Sequence, residues 1–264
     1  MSIEAFDRVE LDGTGIDRIT EAEVVAVVRE ALTAGRGGRI ITPNIDILRR
    51  AQRESEAREH LADADLIVAD GMPLIWASRL GGSPLPERVA GSSLIWSLSA
   101  GLGLDGRSIF VIGGDPKNNG AAKAADHLAA ANPGLRIAGT ICPDFGFEKD
   151  PGAYAEVCAK VADANPDLVF VGLGFPKQER MIAKLKPLLP ASWFIGCGAA
   201  VNFVAGDVER APRWMQRTGL EWAHRLGTEP RRLASRYLRH DAPYALRLLA
   251  QAPAQRALNR TRVL

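Results

Sequence analysis

Leu66-Ile67-Val68-Ala69-Asp70-Gly71-Met72-Pro73 is the stretch on which the reading of this chain turns. Four apolar residues in a row suit a short strand covered on both faces, as in a parallel sheet. The run then stops on a carboxylate, a glycine and a proline, which is turn chemistry. Ligands of open α/β sheets bind outside the carboxyl ends of the strands. Asp70 therefore stands where a catalytic or binding carboxylate belongs. The plain alternative is that Asp70 caps the helix starting near Pro73, since Asp is a favoured N-cap and Pro a favoured first-turn residue.

The flanking sequence repeats the pattern. Glu21 to Thr33 is amphipathic, with Val24, Val27, Val28, Ala31 and Leu32 on one face. Arg39-Ile40-Ile41-Thr42 reads as a strand and Ile45 to about Ala57 as one helix, which Thr42 could cap with Pro43 in its first turn. The functional reading is that Thr42 and Asn44 share a sheet edge with Asp70. Asp63 and Asp65 precede the strand, at the wrong end of the sheet for a metal-holding pair, and are expected at a solvated helix end. A helix over Leu74–Leu80 leads through Gly81-Gly82-Ser83-Pro84-Leu85-Pro86 to Arg88 and an apolar helix over Leu94–Leu104. Further strands are expected at Ile109–Ile112, Leu135–Thr140, Leu168–Val171 and Trp193–Ile195, separated by helices over Asn119–Ala131 and Tyr154–Asn165 and after Gly174. Alternating strands and helices at this spacing predict a doubly wound, mostly parallel, Rossmann-like α/β sheet with helices on both faces. Several strands end in glycine-rich turns, where backbone amides can approach a nucleotide diphosphate.

Composition sets outer bounds. A chain of 264 residues with 47% hydrophobic and 24% charged residues is an ordinary globular sequence that can bury a substantial core. Cys142, Cys158 and Cys197 are odd in number and lack Cys-x-x-Cys spacing, which argues against a disulfide framework or a zinc site. No apolar run reaches the ~18 residues of a membrane span, and Met1–Asp12 has no signal-peptide pattern, so a cytoplasmic location is expected. From Arg210 onward twelve arginines face three acids, Glu221, Glu229 and Asp241, a local charge of +9 against a total of +2. Trp214, Trp222, Tyr237 and Tyr244 are interleaved with them. An arginine-rich, aromatic-bearing segment suits an anionic membrane surface or a phosphate-bearing ligand, and no nucleic-acid module is recognisable. These contrasts divide the chain into an α/β core over 1–208 and a helical appendage over 209–264.

Two alternatives for the glycine turns are a nicotinamide-dependent oxidoreductase and a soluble nucleotide-sugar enzyme. Gly196-Cys197-Gly198 has Val201 where the third glycine of the dinucleotide fingerprint belongs, and no acidic strand end follows at ribose distance.

The ordered motifs Thr42-Pro43-Asn44, Ala69–Pro73, Arg88-Val89-Ala90-Gly91-Ser92, Gly172–Glu179 and Arg210–Gln216 with Gly219-Leu220-Glu221-Trp222 resemble the bacterial WecG/TagA/CpsF glycosyltransferases, over about Ile40 to Tyr237. The resemblance implies an inverting, metal-independent transfer of a sugar from a UDP-sugar to an undecaprenyl-diphosphate-linked saccharide, in cell-surface polysaccharide synthesis, without a cofactor. The donor would be UDP-N-acetylmannosamine, its uronic acid or UDP-glucose. Asp70 would be the base, and Thr42, Asn44, Arg88 and Gln178 would line the pocket. Arg225, Arg232 and Arg236 would be the appendage arginines that close on the diphosphate, with the enzyme peripheral on the inner face of the membrane. Asn202 stands where relatives commonly have Asp, at the donor site. Self-association into a homo-oligomer is compatible with this reading.

Overall fold

The structure, a computed structural model, describes residues 6–261, without the side chains of Arg213, Arg217, Arg232 and residues 255–261. Its centre is a six-stranded, all-parallel sheet of β3 (Gly38–Ile41), β4 (Leu66–Ile67), β5 (Ser108–Gly113), β6 (Arg136–Ile141), β7 (Leu168–Gly172) and β8 (Trp193–Gly196), in the order β4-β3-β8-β7-β5-β6. The strands are apolar runs because helices cover both faces, and alternate residues go to opposite sides. Ile40, Ile109, Val111, Leu168 and Phe170 join one cluster, with helices α1 (Glu21–Thr33), α5 (Gly91–Leu104), α6 (Gly120–Ala131) and α9 (Ala200–Ala205). Phe110, Ile112, Val169 and Val171 point the other way, onto α7 (Pro151–Ala164) and α8 (Lys177–Leu185). Strand β6, at one edge of the sheet, is only half-buried.

Three sequence expectations change. Residues 45–57 form two helices, α2 (Ile45–Ala51) and α3 (Ser55–Ala62), rather than one. The break is held by the Arg58 guanidinium, which donates to the terminal Ala51 carbonyl at 2.8 Å, and by Arg50, which grips Glu54. Splitting the segment lets Leu48 and Ala51, and then Ala57 and Leu61, all face the same core. The cap of α2 is Asn44, whose side-chain oxygen accepts from the Ile47 amide at 3.1 Å; Thr42 does not cap it. Asp63 does end a helix, but it is ion-paired with Arg39 at 2.8 Å and Lys186 at 3.2 Å.

An N-terminal hairpin, β1 (Arg8–Leu11) and β2 (Thr14–Asp17), turns on Asp12-Gly13. Asp17 accepts from the Ile67 amide at 2.7 Å and so fastens the hairpin to β4. The C-terminal segment runs through α10 (Arg213–Thr218), α11 (Glu221–Thr228), α12 (Pro230–Ala234), a π-helical stretch over Ser235–Asp241 and α13 (Ala242–Thr261). Helix α13 lays Tyr244, Leu248 and Ala252 into a core shared with Leu11, Ile16 and with Leu74, Ile75 and Ala77 of α4 (Met72–Leu80). Tyr244 also donates to the Asp12 carboxylate at 2.6 Å. Among the described residues no helix is long and apolar enough to cross a membrane.

Because Leu248 is 3% exposed within this shared core, Leu248→Ala should cost about 2–5 kcal/mol in denaturant unfolding. Leu246→Ala, on the outward face at 68% exposure, should stay within about 0.5 kcal/mol.

Candidate active site

The site is built where β4 and β3 end. The ladder continues past β4: the Val68 amide donates to Ile41 O and the Asp70 amide to Pro43 O, each at 3.0 Å. On the other side, Ala69 O accepts from the Val89 amide at 2.9 Å. Asp70 is thus fixed between the β3 exit and the segment leading into α5. It does not cap α4, where Gly71, at φ 146°, is the N-cap residue. Its carboxylate instead takes a hydrogen bond from the Gly91 amide at the start of α5. A Cβ on Gly91 would lie 3.4 Å from Thr42 Oγ1 and 3.5 Å from Cys197 Cα, which brings Thr42, Asp70 and the turn after β8 to one place.

Asp70 is half-buried as a residue. Burial pushes its pKa from 3.8 up to about 6; Glu221 adds to the rise, while Arg88, the Gly91 amide and Arg225 oppose it. Burial exceeds the arginines in effect because losing hydration penalises the charged form directly.

Arg88 and Arg210 converge on the first carboxylate of α11. Arg88 pairs with Glu221 at 3.0 Å and Arg210 with the same group at 3.4 Å, while Arg210 also donates to Ser92 O at 3.1 Å and Ser93 Oγ at 3.3 Å. The elbow between α10 and α11 presses on the Asp70 loop so closely that a Cβ on Gly219 would sit 2.5 Å from Met72 Cγ. Arg225, one turn along α11, lies 5.8 Å from the Phe203 ring centroid, and its Nε is buried without a partner among the described residues. Asn202 Oδ1, on the neighbouring residue of α9, is likewise buried and unpartnered. An unmatched donor and an unmatched acceptor on adjoining groups are what a polar ligand satisfies.

The remaining expected residues are placed differently. Gln178 is buried, and its side-chain oxygen accepts from the Gly174 and Gly198 amides at 3.1 and 3.0 Å. Asn44 spends its oxygen on the α2 cap. Arg236 is paired with Asp241 at 3.1 Å and Asp46 at 3.6 Å, and is not among the groups acting on Asp70. Arg232 lies on α12; its side chain is outside the described residues. Glu221 and Arg210 were not singled out from sequence, although both stand in quoted motifs; one of only three acids among twelve arginines was the available signal. Among the described residues no group of three His, Cys, Asp or Glu is placed to hold a metal ion.

Residues 9–258 match the Glycosyl transferase WecG/TagA/CpsF family. The chain belongs to that family. Among its curated relatives, the N-acetylglucosaminyldiphosphoundecaprenol N-acetyl-beta-D-mannosaminyltransferase of Bacillus spizizenii is 34% identical over 201 residues, 76% of this chain and 75% of the relative. The protein of the same name from Bacillus subtilis is 32% identical over 194 residues, 74% and 73% of the two chains. As a WecG/TagA/CpsF protein the chain is a glycosyltransferase, on the α/β fold expected from its sequence, and the oxidoreductase alternative falls away.

The electrostatics of Asp70 can be measured directly. Following its carboxyl carbon by NMR should give a midpoint near pH 6. Glu221→Gln should move that midpoint down, since a negative neighbour that resists ionisation is gone.

Proposed function

We propose that this glycosyltransferase moves N-acetylmannosamine from its UDP conjugate onto N-acetylglucosaminyl-diphosphoundecaprenol, with inversion and with Asp70 as general base. The donor and acceptor follow from the names of the two Bacillus relatives, which favour N-acetylmannosamine over its uronic acid or glucose. The observation that carries the mechanism is the recessed Asp70 carboxylate, with a pKa raised to about 6 and arginines on its far side. A base with that pKa is ionised at neutral pH and retains affinity for a proton.

In the proposed reaction Asp70 accepts the proton of the acceptor hydroxyl as that oxygen bonds to the anomeric carbon. The bond from that carbon to the diphosphate breaks on the opposite face, so configuration inverts. Charge gathers on the departing UDP, where Arg88 and Arg225 oppose it. Glu221 now occupies Arg88 and Arg210, so the diphosphate would compete with a carboxylate already in place. Asn202, with its unpartnered oxygen, would meet a donor hydroxyl. Arg232 and Arg236 stay as proposed contributors from the appendage, Arg236 only after release from Asp46 and Asp241.

The segment 209–264 would also rest on an anionic membrane surface at the inner face, which gives access to the lipid-linked acceptor without a membrane span. Supporting features are the exposed Trp76, Trp214, Leu220, Trp222 and Leu238 amid the arginines.

Asp70→Asn should lower transfer by about 10²–10⁴-fold, the usual worth of general-base help, with UDP affinity and melting temperature held. Transfer surviving at the wild-type rate would refute Asp70 as base. Transfer should persist in EDTA, because Asp63 and Asp65 are committed to Arg39 and Lys186; loss in chelator with recovery on magnesium or manganese would refute a metal-free reaction. Arg225→Ala should slow turnover of a water-soluble acceptor, and a rate equal to wild type would leave the appendage as an anchor only.

A further inference from the structure

A chain of buried hydrogen bonds runs behind the glycine turns without touching Asp70. Gln178 Nε2 donates to Glu179 Oε1 at 3.0 Å, and Glu179 Oε2 pairs with the Arg39 guanidinium at 2.7 Å. Arg39 is fully buried and Glu179 is 1% exposed. The other arm of Arg39 meets Asp63 at 2.8 Å, while the Arg39 amide donates to Asp65 at 2.8 Å. The network therefore joins β3, the end of α3, the start of α8 and both glycine turns.

A glutamine amide has one end that accepts and one that donates. Gly174 and Gly198 present N–H groups, so they require the oxygen end. Glu179, held against Arg39, offers only acceptors, so it requires the nitrogen end. Both neighbours thus select one orientation, and a single oxygen ties the turn after β7 to the turn after β8. The fit is tight: a Cβ on Gly196 would lie 2.3 Å from Gln178 Nε2. On the outward side the turns are open, with nothing within 4 Å of where a Cβ of Gly174 or Gly198 would stand. The two amides are already used inward, so these turns shape the wall of the site and do not offer those N–H groups to a diphosphate.

We infer that Glu179 and Arg39 are positioning residues for the donor: through Gln178 they fix the separation of the two glycine turns that wall the nucleotide-sugar site. This deepens the glycosyltransferase reading and rests on it for the identity of the ligand. A buried ion pair kept only for stability could be replaced by apolar residues with little loss, whereas one that orients an amide cannot.

The test uses the full chain with Glu179→Gln, which makes the Gln178 neighbour ambiguous, and Gln178→Met, which leaves the ion pair intact and removes the shared oxygen. Hydrogen exchange at the Gly174 and Gly198 amides reads the brace without any ligand, and calorimetry with UDP reads the wall. In both variants exchange at these two amides should quicken, and UDP affinity and donor KM should each worsen about tenfold, the worth of one hydrogen-bonding oxygen. Turnover number should change far less than KM, and Glu179→Asp should recover part of the affinity. Where Glu179→Gln fails to fold, Gln178→Met decides alone. Wild-type exchange and UDP affinity in a folded Gln178→Met protein would overturn the inference, even with a lowered melting temperature. Slow amides in wild type that quicken in the variants, with no UDP binding by wild type, would uphold the brace and refute the nucleotide-sugar reading instead.

Discussion

The ion pair between Arg39 and Glu179 is the contact through which most of the architecture communicates. It lies in the interior, where moving each charge from water costs several kcal/mol, so it persists only because both partners are also hydrogen-bonded. Asp63 takes the other arm of the arginine, Asp65 accepts from the Arg39 backbone amide, and Gln178 donates to the glutamate, while Arg39 Nε is buried without a partner among the described residues. Of the two aspartates that could pass for a metal-binding pair, Asp63 is a counter-charge of Arg39 and Lys186, and Asp65 pairs with Lys186 and accepts from the Arg39 backbone amide. One element from each half of the sheet is locked to the other, β3 on one side and the α8 start on the other.

In front of that frame the site has the opposite character, since its polar groups are incompletely matched. Burial raises the Asp70 pKa to about 6, and Arg225 and Asn202 each hide an atom without a partner among the described residues. Buried polar groups left unpaired cost about 1–3 kcal/mol each. Glu221 serves as an internal anion between Arg88 and Arg210.

The parallel sheet was legible because its strands are continuous apolar runs at helix-separated intervals, and the position of Asp70 at a strand exit because a carboxylate ended one of them. The hairpin was missed although Asp12-Gly13 between alternating Val9, Leu11 and Ile16 is a strong short-range turn signal. The split of residues 45–57 carried no glycine or proline; the side chains of Arg50 and Arg58 make it, and only tertiary structure reveals that. Gln178 and Asn44 read as pocket-lining from their motifs, and only the fold shows that their side-chain oxygens also brace two glycine turns and cap α2. Arg236 illustrates the same limit for charge: composition gave its sign, and only the fold gave its partners, Asp46 and Asp241.

The bond between Tyr244 and Asp12 joins positions 232 residues apart. Closing so long a loop delays the contacts that reward it, and synthesis proceeds from the N-terminus at roughly 5–20 residues per second. During production the hairpin and α4 must therefore wait, with Leu11, Ile16, Leu74 and Ile75 uncovered, until α13 emerges to seal them. Until then that flank is exposed apolar surface of the kind chaperones hold.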